Sequence, residues 1–107
     1  MPEAMIWGAS GGMGAALVRL LKREGWQVFA AARDERRIPA EADYTCAFDA
    51  LQPHTIQPIP MQIASQSEGL DLMVYAAGSM AAGTVEQMPA DAWMQVIGAN
   101  LNGAHLT

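Results

Sequence analysis

A chain of 107 residues, 51% of them hydrophobic, can bury one core but is short for an enzyme with separate cofactor and substrate regions. Its formal net charge of −5, with no long basic stripe, sets nucleic acid and anionic membrane aside as partners. A single cysteine, Cys46, excludes an internal disulfide and a cysteine-cluster metal site; it fits a reducing cytoplasm and reads as a small buried hydrophobe.

In chain order, Ala4 to Trp7 read as a short buried strand that breaks into Gly8-Ala9-Ser10-Gly11-Gly12-Met13-Gly14. Gly8, Gly12 and Gly14 sit where a strand turns sharply, exposes backbone N–H groups and enters a helix, a geometry that suits a phosphate. The helix is expected from Gly12 to about Glu24, with Met13, Ala16, Leu17, Leu20 and Leu21 at helical spacing and its positive dipole end at the loop. A phosphate-loop NTPase needs Gly-Lys-Ser/Thr where this chain has Gly12-Met13-Gly14, so no lysine reaches a triphosphate. For the loop taken alone, a glycine turn without a ligand stays open.

Gly25 ends the helix in the left-handed conformation that glycine tolerates. Strand two spans Gln27 to Ala32. The charged segment Arg33 to Asp43, interrupted by Pro39, holds at most a turn or two of helix, which is tight for a parallel crossover to strand three, Tyr44 to Phe48. Pro53, Pro58 and Pro60 confine the next helix to about Pro60 to Ser67, with Pro60 in its first turn and Gly69 ending it. Asp71 to Ala76 is nearly all apolar, as expected of a strand covered on both faces, and Ala77-Gly78 makes a second glycine turn. A last helix runs from about Pro89 to the end. Trp93, Val96, Ile97, Leu101 and Ala104 define its apolar face, so Asn100 among them is expected to be buried with its amide partnered.

Strands alternating with helical segments predict an α/β fold: a Rossmann-type, doubly wound parallel sheet of order 3-2-1-4 with flanking helices. Ligands of such sheets bind at the carboxyl ends of the strands, here between strands one and four, so both glycine turns face one crevice. There is no basic-then-apolar leader and no apolar run near the ~20 residues that span a bilayer, so a soluble, cytoplasmic protein is expected. His54 and His105 read as surface residues with no carboxylate or cysteine at ligand spacing, so no metal site is expected. The eight methionines and three tryptophans read as core and interface filler.

Four of these segments, in this order, resemble the short-chain dehydrogenase/reductase family of nicotinamide enzymes, and the resemblance spans essentially the whole chain. Gly8-Ala9-Ser10-Gly11-Gly12-Met13-Gly14 is similar to its Gly-x-x-x-Gly-x-Gly loop, and Phe48-Asp49-Ala50 to the strand-three end whose aspartate contacts adenine. Tyr75-Ala76-Ala77-Gly78 resembles its Asn-Asn-Ala-Gly turn, and Asn100-Leu101-Asn102-Gly103 its Asn-x-x-Gly segment. The resemblance implies cofactor contacts from Gly8, Ser10, Gly11, Gly12, Met13, Gly14, Asp49, Ala50, Ala76, Ala77 and Gly78, and a proton-relay role for Asn100. A turn-capping role for Asp49 and a structural amide for Asn100 stay open beside these. Trp7 stands where a threonine is usual, and Tyr75 and Ala76 replace two asparagines, which removes side-chain bonds that brace strand four against the loop.

In a dinucleotide site, an acid at the end of strand two binds the ribose hydroxyls, whereas an arginine nearby accommodates a 2′-phosphate. Ala32 holds the acid's place and Arg33 follows it, so NADP(H) is expected over NAD(H), with Arg36 or Arg37 as helpers. A solvated charge run, Arg33-Asp34-Glu35-Arg36-Arg37, is the other reading. The family's serine and Tyr-x-x-x-Lys do not follow Asn100, and neither Tyr44 nor Tyr75 has a lysine four residues on. The chain therefore reads as a truncated, amino-terminal part of an NAD(P)-binding Rossmann domain, residues 1–107, whose whole acts on a carbonyl or alcohol and which is expected to be inactive alone. A homodimer or higher assembly through the strand-four edge or the last helix is expected. The alternative is a non-catalytic nucleotide-binding or self-assembling module.

Overall fold

A computed structural model describes all residues, 1–107. One parallel sheet holds β1 (Glu3–Trp7), β2 (Gln27–Ala32), β3 (Tyr44–Ala47) and β4 (Leu72–Tyr75), in the order β3-β2-β1-β4. Trp7 pairs with Ala31 on one side and Tyr75 on the other, and Ala32 pairs with Ala47, so the four strands end along one edge. Helices α1 (Gly12–Arg23), α2 (Ile59–Ala64), α3 (Ala90–Ile97) and α4 (Gly103–Leu106) connect or follow the strands.

The strand period of two splits the core between the sheet's faces. Ala4, Ile6, Val28, Ala30 and Ala32 face α1 and pack with its Val18 and Leu21. Met5, Trp7, Phe29 and Ala31 face the other way, against Ile56 and the α2 residues Ile59 and Ile63. Small alanines in β2 let α1 lie close to the sheet, and each fully buried Val or Ile contributes about 1.5–3 kcal/mol. The short β2–β3 link manages its crossover with one 3₁₀ turn, Glu35–Arg37, and a single plug, Ile38, buried on the α1 face.

Several boundaries differ from the sequence expectation. The buried side of α1 is Gly14, Val18 and Leu21, whereas Met13, Ala16 and Leu20 are exposed. Gly14 carries no apolar side chain, so periodicity alone placed the face one position off. The helix expected over Pro60 to Ser67 forms at Ile59–Ala64, with Pro60 in its first turn. It stops well short of Gly69, whose φ of 145° belongs to the turn before β4. The ladder of strand three ends at Ala47, although the Phe48 N–H still donates to the Ala32 carbonyl at 3.0 Å.

β4 was expected to be covered on both faces; it is the sheet's outer strand, and Met73 is 52% exposed. An outer strand shields only the side that neighbouring elements reach. Met5 is the one methionine in the core, and Met1, Met13, Met61, Met73, Met80 and Met94 are exposed, which corrects the reading of the methionines as filler. His54 and His105 are exposed as expected, and no cluster of His, Cys, Asp and Glu has the makings of a metal site. Cys46 is only half-buried; burial first and Glu35 second raise its thiol pKa, which keeps it an unreactive thiol. No helix is long and apolar enough to cross a membrane.

Candidate functional site

At the carboxyl edge of the sheet, the chain leaves β1 through Gly8, whose φ is 89°. A left-handed backbone there suits glycine alone. A Cβ at Gly8 would also lie 2.6 Å from the Ala77 Cα, so this glycine lets the two turns touch. Gly14 plays the matching part inside α1: a Cβ there would press on the Gly8 backbone and come 3.0 Å from the Ala9 Cα. The loop and helix therefore meet backbone to backbone.

Counting hydrogen bonds shows what the loop offers. The Gly8 and Ala9 N–H groups both donate to the Ala31 carbonyl, at 2.8 and 3.0 Å, and the Gly11 N–H donates to the Gly8 carbonyl at 3.3 Å. Ala15 N–H is taken by the Gly11 carbonyl. The N–H groups of Ser10, Gly12, Met13 and Gly14 have no partner within the protein. Gly11 supplies no side-chain cap and no acidic residue stands in the first turn of α1, so nothing competes with an outside anion for these donors.

A crevice of about 220 Å³ opens at this mouth, where β1 and β4 part. Gly8, Ser10 and Gly11 form its middle; Ala32, Arg33, Phe48, Asp49, Ala50 and Leu51 its β2–β3 side; Ala76, Ala77, Gly78, Ser79, Gln95 and Ala99 its β4 side. The structure thus brings together nine of the expected cofactor residues. Gly12, Met13 and Gly14 are absent from the lining: they open α1, with the Met13 side chain turned to solvent.

Arg33 is exposed, lines the crevice and makes no ion pair. Arg36 is committed elsewhere: its Nε and Nη2 donate to Asp34 at 3.0 and 3.1 Å. That bond draws the Asp34 pKa down and raises the Arg36 pKa. So the charge run divides into a local Asp34–Arg36 pair and one guanidinium facing the crevice. The expectation of Arg36 as a helper is corrected by that pairing.

Asp49 is held as a turn aspartate. Its Oδ1 accepts from the Leu51 N–H at 2.9 Å, and its own N–H donates to Thr55 Oγ1 at 2.8 Å. One carboxylate oxygen remains without a partner in the protein, so capping and lining are combined in one residue.

Asn100 was expected to be buried, and it is exposed. Its amide is nonetheless fully placed: Oδ1 accepts from the Ser79 N–H at 3.0 Å and Nδ2 donates to the Ser79 carbonyl at 2.7 Å. A Cβ on Gly78 would come 2.7 Å from Oδ1, so this glycine admits the amide. The burial expectation failed because the last helix is not uniform. Between α3 and α4 lies a π-helical stretch, Gly98–Asn102, which rotates later residues relative to earlier ones and leaves Trp93 and Leu101 exposed.

Trp7, standing on the α2 face, packs edge-on against Phe48 with ring centroids 5.1 Å apart, and its indole N–H has no partner. The Ala76 N–H donates to the Trp7 carbonyl at 2.7 Å, so backbone rather than side chains braces β4 here. Ser79, Gln95 and Ala99 were not foreseen. Only Tyr75, flagged by its departure from the usual asparagine, carried a signal for this side.

A family model described as short chain dehydrogenase matches residues 3–107. An uncharacterized oxidoreductase of Staphylococcus aureus (strain USA300) is 25% identical over 97% of this chain and 48% of its own length. The granaticin polyketide synthase putative ketoacyl reductase 1 of Streptomyces violaceoruber is 28% identical over 98% of this chain and 42% of its own length. Among solved structures, an actinorhodin polyketide ketoreductase variant with NADPH superposes with a TM-score of 0.88 at 24% identity, covering 97% of this chain and 43% of the other, a likeness of fold. Ligand-free aldohexose dehydrogenase from Thermoplasma acidophilum gives 0.86 at 25%, covering 98% and 40%. The chain spans less than half the length of these relatives.

Proposed function

Because the chain belongs to the short-chain dehydrogenase family, we propose that it is the NADP(H)-holding part of an oxidoreductase acting on a carbonyl or alcohol substrate. The observation that carries this reading is the set of four unpartnered N–H groups at Ser10, Gly12, Met13 and Gly14, opening beside an unpaired Arg33. These donors suit a diphosphate, since amide hydrogens and the helix dipole both favour negative charge at that point. The guanidinium suits a 2′-phosphate by charge-assisted bonds. Asp49 and Ala50 would border the adenine, and Ala76, Ala77 and Gly78 the nicotinamide side, where the backbone lies close enough to exclude water. When bound, the dinucleotide supplies or accepts hydride.

Asn100 is the candidate in this chain for steering a proton near the reacting carbonyl. With its amide bonded to Ser79 on both sides, it acts by holding the β4 turn rather than as an acid or base. Lys22, the sole lysine, is bound to Asp43 at 2.8 Å at the far end of α1, so these 107 residues contain no tyrosine–lysine pair to donate the proton. That favours, for this chain by itself, cofactor binding without turnover. Titration with NADPH is expected to shift and enhance nicotinamide fluorescence at micromolar concentrations, with no ketone-dependent oxidation. A flat titration up to millimolar NADPH removes the reading. We extend the proposal to a homo-oligomer formed through the β4 edge or the last helix, where Met73, Trp93, Met94 and Leu101 are exposed. A single monomeric species in sedimentation removes that part alone.

A further inference from the structure

The Tyr75 hydroxyl, at the end of β4, donates to the Ala99 carbonyl. Ala99 lies inside the π-helical stretch, where the Gly103 N–H donates to the Gly98 carbonyl five residues back. In a regular α-helix that N–H would seek Ala99, four residues back. The widened turn thus turns the Gly103 N–H away from Ala99, whose carbonyl takes the tyrosine hydroxyl. Gly103 is itself fitted to this contact: a Cβ there would overlap the Tyr75 hydroxyl and come 2.9 Å from the Ala50 Cβ. Asn100, the next residue after Ala99, makes the paired bonds to Ser79 that shape the β4 wall of the crevice.

We propose that Tyr75 is a positioning residue: its hydroxyl holds the widened turn at Gly98–Asn102 in place, which sets the rotation of Asn100 and through it the Ser79 wall. A side chain that inserts into the helical ladder is a recognised cause of such defects, and single π turns are frequent at functional sites. Both ends of the link are anchored, the ring by β4 and the acceptor by Gly98 and Gly103, so the hydroxyl has one place to go. Burial raises the Tyr75 pKa, and the group remains a donor across the physiological range. The effect on the helix stands on this geometry alone; the effect on ligand rests on the nucleotide reading above.

Two substitutions test it from opposite directions. Tyr75→Phe keeps the ring and removes the hydroxyl, whereas Gly103→Ala keeps the hydroxyl and puts a methyl in its path. In NMR hydrogen-exchange measurements, both are expected to speed exchange of the Ser79 amide and the Asn100 side-chain amide about tenfold, while amides of β1 and β2 keep their protection. Unchanged exchange at Ser79 and Asn100 in Tyr75→Phe overturns the proposal. So does equal acceleration throughout β1 and β2, which is plain loss of stability. In the ligand arm, Tyr75→Phe is expected to weaken NADPH about fivefold and 2′-phospho-ADP-ribose, which lacks nicotinamide, less than about twofold, the scale of one hydrogen bond felt at one end of the crevice. Equal weakening of both overturns the positioning of the nicotinamide side. Unmodified protein that binds neither removes the nucleotide reading, and the exchange data then decide on Tyr75 by themselves.

Discussion

Arg33→Ala is expected to weaken NADPH binding by about 10- to 100-fold while changing NADH binding less than about threefold, the range of one or two hydrogen bonds to a charged group. The asymmetry follows from placement. Arg33 leaves the sheet directly after Ala32, lines the crevice and has no acidic partner to give up. Arg36 is occupied by Asp34 and cannot take over without breaking two side-chain bonds. The preference is expected to shrink as salt rises, because an exposed guanidinium is screened over about 10 Å at 0.1 M. Parallel titrations of both dinucleotides at two ionic strengths measure it; equal losses for NADPH and NADH would refute the assignment of Arg33 to the 2′-phosphate.

The largest effect on folding is expected at Gly8. Gly8→Ala forces a Cβ onto a residue with φ of 89° and drives it into the Ala77 backbone, 2.6 Å from its Cα. The left-handed backbone costs about 1–2 kcal/mol. Overlap with a neighbour that has no side chain to swing aside adds roughly 1–3 kcal/mol more. Against a total stability of about 5–15 kcal/mol, denaturant unfolding should show a loss of about 2–5 kcal/mol. Gly12→Ala, where an added Cβ meets nothing within 4 Å, serves as the control and is expected to leave the midpoint almost unmoved.

The sheet was legible from sequence because its strands announce themselves. Gln27 to Ala32 is bounded by Gly25, whose φ is indeed 87°, and by a charged run, so both ends of β2 were readable. The strand order follows from the two glycine turns having to share one edge. What failed did so where a backbone feature replaced a side-chain pattern. Gly14 is on the buried side of α1 but carries nothing for a periodicity to register. The π turn at Gly98–Asn102 shifts the helical phase midway, so Trp93 and Leu101 cannot share a covered face with Val96 and Ile97 as a uniform 3.6-residue repeat requires. Met73 sits in a run that reads as fully covered, and only its place at the outer strand exposes it.

The crevice side chains divide in the same way. Gly8, Gly78 and Arg33 were readable because each does something that only its residue type does. Ser79 was not, because it contributes main-chain atoms to Asn100, and any residue has those. Asp49 was readable only as two alternatives, and the structure shows it bonded to the Leu51 N–H and also lining the crevice.

The four free amide hydrogens at Ser10, Gly12, Met13 and Gly14 belong to the main chain, and that carries a lesson about inheritance. Apart from proline, no codon change deletes such a group; a lineage loses the grip only by bending the loop itself. Nor does an amide titrate, so the hold on an anion is indifferent to acidity on the protein's side. Drift in sequence can therefore run far at these positions before the anion is released.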